Sequence, residues 1–303
     1  MVNLKLQIPE EFFKEEVRDG YFVSSDMKNL WAVELDLLNE FIRVCEVYNL
    51  RYFAEGGTMI GAVRHNGFIP WDDDIDIVMP REDYCKLEKI AVKEFKFPYF
   101  WQTEKTDPGS MRGHAQLRNS LTTGILKSES DKKYSFNQGI FIDIFPLDYI
   151  PDETAWQNIF CLELFEQREK AFKYTYMTTR FVENGDGVYR KIRNLRHKIL
   201  SKGARENKEY IKWEKLMMKY NTCSTKTVSE VCFRQNPKRR IWESKWFDDV
   251  IEVPFEMLKI SVPVGYDEIL TTLCGDWRVP KIFPSLHGGI IFDVDKPYTE
   301  YIK

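Results

Sequence analysis

Residues 51–80 read RYFAEGGTMIGAVRHNGFIPWDDDIDIVMP, and this run decides how the rest of the chain is read. It opens apolar, breaks at Gly56-Gly57-Thr58, and passes through a short helical piece carrying Arg64 and His65. It ends in Pro70-Trp71-Asp72-Asp73-Asp74-Ile75-Asp76-Ile77. The alternation from Asp74 to Val78 has period two, so a strand there shows Asp74 and Asp76 on one face and Ile75 and Ile77 on the other. Two adjacent carboxylates repel unless a cation sits between them, and hard oxygen ligands suit a divalent ion, Mg²⁺ above all. Upstream, Gly56-Gly57 lets backbone N–H groups approach a phosphate closely, and Thr58 adds a hydroxyl at an expected helix start. A phosphate cradle followed by an aspartate pair on the next strand is the working end expected of a metal-dependent phosphoryl-transfer enzyme.

The surrounding composition suits that reading. The 303 residues are 43% hydrophobic and 30% charged, which describes an ordered chain with a substantial core. A net charge of −3 gives no whole-chain argument for nucleic-acid binding. No apolar run approaches the roughly 18–20 residues of a spanning helix, and the N-terminus lacks a signal pattern. The six scattered cysteines form no C-x-x-C pair, so reduced thiols in a cytoplasmic protein are expected, and not a zinc site.

Outward from the central run, residues 29–48 place Leu30, Val33, Leu37, Phe41, Val44 and Tyr48 at helical spacing, an amphipathic helix expected simply to pack on the sheet. Residues 81–94 read as a second helix, with short strands at 98–101 and 115–118. Residues 139–148 form an expected buried strand with Asp143 at its centre. A carboxylate in so apolar a run must be paired or bind metal; backbone N–H groups, Arg118 and a cation are all open partners. Residues 154–220 read as long charged helices, with an apolar stripe at Val188, Ile192, Leu195 and Ile199 among basic residues. Lys238-Arg239-Arg240 reads as part of a surface loop, 246–260 as short strands, and 266–277 as a helix ending at a glycine cap. Asp293 and Asp295 read as a surface turn.

The motif from Gly56 to His65 and on through Gly67 to Ile77 resembles the signature of the LicD family, which includes bacterial phosphorylcholine transferases and fukutin-related proteins. The likeness continues through Pro80–Tyr84, Ile142–Asp148, Trp246–Glu256, Gly265–Asp267, Gly275-Asp276 and Asp295–Tyr298, and departs at Cys274, at Trp277 and over 279–289. The resemblance implies an α+β fold: a nucleotidyltransferase-like mixed β-sheet core flanked by helices, with a helical insertion or subdomain. It divides the chain into a lead-in at 1–27, a catalytic core at 28–150, a mainly helical region at 151–245 and a C-terminal segment at 246–303 that packs back on the core.

By the same resemblance Asp74, Asp76 and Asp143 are the catalytic, metal-binding carboxylates for Mg²⁺, with Mn²⁺ as the alternative. Gly56, Gly57 and Thr58 would hold the nucleotide phosphates. Arg64, His65 and Arg118 are candidates to neutralise phosphate oxygens, Arg best because its planar fork suits them. Asp73 joins the substrate-binding group. Trp71, with Trp101, Tyr134 and Trp277, could cage a choline headgroup. The implied partners are a CDP-activated donor such as CDP-choline and a sugar or polyol acceptor, free or lipid-linked, with no nucleic acid and at most peripheral membrane contact. A different transferred group at the same metal site, or a non-catalytic scaffold, stands as the competing expectation.

Overall fold

The computed structural model describes residues 2–130, 134–178, 188, 192, 207–232, 240–282 and 289–302. A hairpin of β1 (Glu16–Arg18) and β2 (Tyr21–Val23) leads into α1 (Ser25–Tyr48). This helix starts earlier than its apolar spacing suggests because Ser24 caps it: the Ser24 hydroxyl accepts the Met27 N–H at 3.2 Å. Asn49, left-handed at φ 50°, ends it. Leu30, Trp31, Val33, Leu37, Phe41 and Val44 are buried, and α1 packs across the sheet.

The central run folds as β3 (Phe53–Ala54), α2 (Gly56–His65), β4 (Asp76–Pro80) and α3 (Arg81–Glu94). After β5 (Tyr99–Gln102), β6 (Ala115–Asn119) and β7 (Thr123–Leu126) comes β8 (Ile140–Ile150), the longest strand. Its Ile- and Phe-rich composition lets it sit in the middle of the sheet. Two helices, α4 (Thr154–Thr178) and α5 (Lys208–Met217), pack on each other. The chain ends with β9 (Thr227–Ser229), β10 (Ile241–Glu243), the hairpin β11 (Val250–Phe255) and β12 (Leu258–Pro263), α6 (Tyr266–Cys274) and β13 (Ile290–Asp293).

Seven strands form one mixed sheet with the path β10-β9-β8-β4-β3, and β6, carrying β5, also pairs β8. β4 runs parallel to β8, while β3, β6 and β9 pair antiparallel to their neighbours. This is the expected α+β arrangement, a mixed sheet with flanking helices. β9 and β10 lie in that sheet although they come from the stretch expected to be mainly helical. α6 ends as expected at Gly275, φ 71°. In the expected turn at the C-terminus, Asp293 accepts the N–H groups of Asp295 and Lys296 at 2.8 and 3.0 Å.

Of the apolar stripe expected after residue 187, Val188 and Ile192 are exposed helical residues, while Leu195 and Ile199 lie outside the described residues. Among the described residues no helix is long and apolar enough to cross a membrane.

Candidate active site

Three neighbouring strands set the site. The antiparallel β6–β8 register puts Gln116 opposite Asp143, and the parallel β8–β4 register puts Asp143 opposite Asp76. Gln116, Asp143 and Asp76 therefore form one row across the sheet. The row is pinned by main chain: Asp143 N–H donates to Ile75 O at 2.9 Å, and Glu55 N–H donates to Asp76 O at 2.9 Å. Thr58 joins it too, its Oγ1 accepting the Asp76 N–H at 2.8 Å. That bond ties the first turn of α2 to the first residue of β4, so the glycine pair and the aspartates are held together. Ile75 and Ile77 are fully buried on the opposite side, as the alternation requires.

Asp74 lies just before β4. Together with Asp72 and Asp73 it offers carboxylate oxygens that all lie within 4.8 Å of one another, the one group of this kind found among the described residues. The expected trio of Asp74, Asp76 and Asp143 does not itself gather this closely: among the described residues Asp74 groups with Asp72 and Asp73, while Asp76 and Asp143 lie outside that group. Burial first, then the charges of Asp74, Asp143, Glu55 and Asp72, holds the Asp76 carboxyl well above its ordinary pKa. Burial pushes Asp143 upward as well, but His114, Arg112 and Gln116 outweigh it and leave the group below its ordinary value. Gln116 Nε2 donates to Asp143 Oδ1 at 2.6 Å, and His114 Nε2 lies 3.1 Å from the same oxygen.

Gly56 takes φ +49°, which a side chain would strain, and opens α2 so that its first N–H groups are turned outward from the helix. At Gly57 an added Cβ would run into the Asp72 carboxylate. Because the obstacle is the end of a side chain, Gly57→Ala is expected to leave the melting temperature within about 2 °C. It should cut turnover about tenfold or more by displacing Asp72 and crowding the helix start. A melting curve beside a rate measurement checks it, and equal losses in both would contradict it.

Other expected residues lie elsewhere. Arg64 and His65 sit at the far end of α2, about 12 Å along its axis from Gly56 at 1.5 Å per residue. Arg64 donates to His65 Nε2 at 2.8 Å and to the Trp277 carbonyl at 2.5 Å, and His65 Nδ1 pairs with Asp19 at 2.6 Å. Arg118 is buried, its guanidinium donating to Gln102 Oε1 and Gly139 O, each at 2.6 Å, and to Gln116 Oε1. Burial lowers its pKa to about 9, which leaves it charged at neutral pH. By fixing the Gln116 oxygen, Arg118 turns the Gln116 NH₂ toward Asp143, so it acts on the site through Gln116 and not as a surface phosphate contact. Trp71 meets Tyr21 edge-on at 5.7 Å, Trp101 stacks on Phe95, Tyr134 on Phe136, and Trp277 meets Tyr266, so each of the four rings has a different aromatic neighbour.

Several site residues were not singled out from the sequence. His114 and Gln116 become neighbours of Asp143 only through the β6–β8 register. Arg240 is a correction to the expected surface loop: it donates to Glu55 Oε1 at 3.0 Å and pairs with the buried Glu230, while Lys238 and Arg239 lie outside the described residues. Glu55 immediately precedes the glycine pair, so that ion pair braces the start of α2 from a distant part of the chain.

The family model described as "LicD/FKTN/FKRP, nucleotidyltransferase domain" matches residues 49–179. The lipopolysaccharide cholinephosphotransferase LicD of Haemophilus influenzae is 27% identical over 246 residues, covering 80% of this chain and 88% of that protein. Human ribitol 5-phosphate transferase FKRP is 41% identical over 53 residues, covering 18% of this chain and 11% of that protein. An uncharacterized protein of Rickettsia prowazekii is 52% identical over 42 residues, 14% of this chain and 16% of its own length.

Proposed function

We propose, from the premise that this chain carries a nucleotidyltransferase domain of the LicD/FKTN/FKRP family, that it is a transferase moving a phospho-alcohol group from an activated donor to a hydroxyl of a glycan. The single observation that carries the reading is the strand register that sets Asp76 opposite Asp143, next to the oxygens of Asp72, Asp73 and Asp74 and the opening of α2. Phosphorylcholine from CDP-choline is the first candidate, because the relative matched over most of its length is named for choline phosphate. The FKRP match favours a second headgroup, ribitol phosphate, at the same site.

The donor set is all carboxylate oxygen, and the burial and clustered charges that raise Asp76 fit a hard divalent cation such as Mg²⁺ or Mn²⁺. Asp74, Asp76 and Asp143 would hold it, with Asp72 and Asp73 beside them; when bound, it offsets charge developing on the donor diphosphate. The chain's own groups do the rest. The opening N–H groups of α2 receive donor phosphate oxygens, and the adjacent Gly56-Gly57 backbone allows the close approach. Gln116 and His114 both occupy Asp143 Oδ1, which orients the carboxylate and leaves Oδ2 to accept the proton of the attacking hydroxyl. Trp71, next to the aspartates in sequence, would be the ring that meets a donor headgroup. The protein would then work in the cytoplasm, with at most peripheral contact at a membrane face.

The test is release of CMP from CDP-choline, CDP-ethanolamine, CDP-glycerol and CDP-ribitol with Mg²⁺, since slow hydrolysis should occur without the true acceptor. Turnover of one donor identifies reaction and headgroup together. Intact donors with a Mg²⁺-dependent rise in melting temperature would retain the metal site and remove the donor assignment; no response to Mg²⁺ at all would remove both.

A further inference from the structure

The helix α1 precedes the segment matched by the family model, and its sequence suggests only a packing role. One of its residues does not fit that role. Glu34 is 1% exposed, and its Oε2 has no hydrogen-bond partner among the described residues. The charges acting most on it are those of Asp74, Asp73 and Asp72, followed by Asp143. The placement is fixed by Trp31, one turn earlier on the same helix face, whose Nε1–H donates to the Asp72 carbonyl at 2.9 Å. α1 therefore brings a buried carboxylate near the aspartate cluster.

A buried carboxylate among carboxylates is strongly unfavourable unless something offsets it. Protonation would remove the charge of Glu34 alone and leave those of the aspartates. A cation in contact with the oxygen offsets its charge and theirs at once.

We propose that Glu34 supplies a further carboxylate, from α1, to a divalent cation held by Asp72, Asp73 and Asp74. This rests on the metal-dependent reading above and extends it to a residue outside the matched family segment. The site would take a small oxygen-seeking ion, Mg²⁺ or Mn²⁺, and α1 would be part of its wall as well as part of the core.

Binding of Mn²⁺ alone to the full chain, followed by electron paramagnetic resonance or calorimetry, tests this without any assay of transfer. Glu34→Gln keeps the side chain's size and should weaken Mn²⁺ binding about tenfold or more, with the melting temperature in EDTA unchanged or higher. Unaltered Mn²⁺ affinity and ion count in the variant would overturn the proposal and leave the preceding reading standing. Failure of the unaltered chain to bind Mn²⁺ would overturn both. If the variant does not fold, anomalous scattering from Mn²⁺-soaked crystals of the unaltered chain decides the question. An ion touching the Glu34 carboxylate supports the assignment, and an ion held by the aspartates alone overturns it.

Discussion

Asp76→Asn should lower kcat/KM by about three orders of magnitude or more while raising the melting temperature measured in EDTA. The two effects have one origin. Asp76 begins β4 opposite Asp143, and Asp74, Glu55 and Asp72 also act on it. Without a cation these like charges oppose folding, and the amide removes one charge while keeping the shape. Relief of even part of the repulsion is worth about 1–2 kcal/mol, or about 2–6 °C for a chain of this size. On the proposed mechanism the same charge helps hold the cation and offset the transition state, and a thousandfold loss is about 4 kcal/mol. Melting in EDTA and in Mg²⁺, with and without the substitution, separates the contributions. A variant that loses activity and also melts lower in EDTA would mean that Asp76 is structural.

The second large effect concerns stability. Arg81, at the start of α3, pairs with Asp148 near the end of β8 through Nε–Oδ1 at 2.7 Å and Nη2–Oδ2 at 2.5 Å. Both side chains are nearly inaccessible, at 8% and 0% exposed, and Asn221 Nδ2 adds a third bond to Asp148 at 2.6 Å. Burial alone would lower the Arg81 pKa, but Asp148 outweighs it and keeps the guanidinium charged. Arg81→Met strands a buried carboxylate, at about 3–5 kcal/mol, which lowers the melting temperature by roughly 10 °C. The double variant Arg81→Met/Asp148→Leu should recover most of the loss, because the destabilisation comes from the orphaned charge more than from the missing bond. Failure of the double variant to recover would show that packing around the pair, and not its charge, sets the effect.

Much of the fold was readable because local signals agreed with tertiary demands. The period-two run at Asp74–Val78 buries Ile75 and Ile77, and Gly275 marks a helix end by its own chemistry. Asp143 was visible as a carboxylate in an apolar strand. Its partners were not, because Gln116 and His114 meet it by a strand pairing that no local pattern encodes. Arg118 was legible as important but not in its role, since spacing cannot tell a guanidinium that meets substrate from one that aims an amide. Arg240 sat in a basic run that reads as solvated surface, and only the fold reveals Glu55 and Glu230 waiting for it. Glu34 did carry a signal, an acidic residue among Leu30, Trp31, Val33 and Leu37, positions that are all buried.

The pairing of β4 on β8 has an effect on quality control. A slip of one residue along β8 would turn the Asp76 side to the core and set Ile77, or Ile75, against Asp143. Such a chain could keep much of its secondary structure and still have no place for an ion. On the metal-dependent reading, the number of ions bound per chain becomes a census of correctly zipped sheets, sensitive to a misalignment that circular dichroism would pass over.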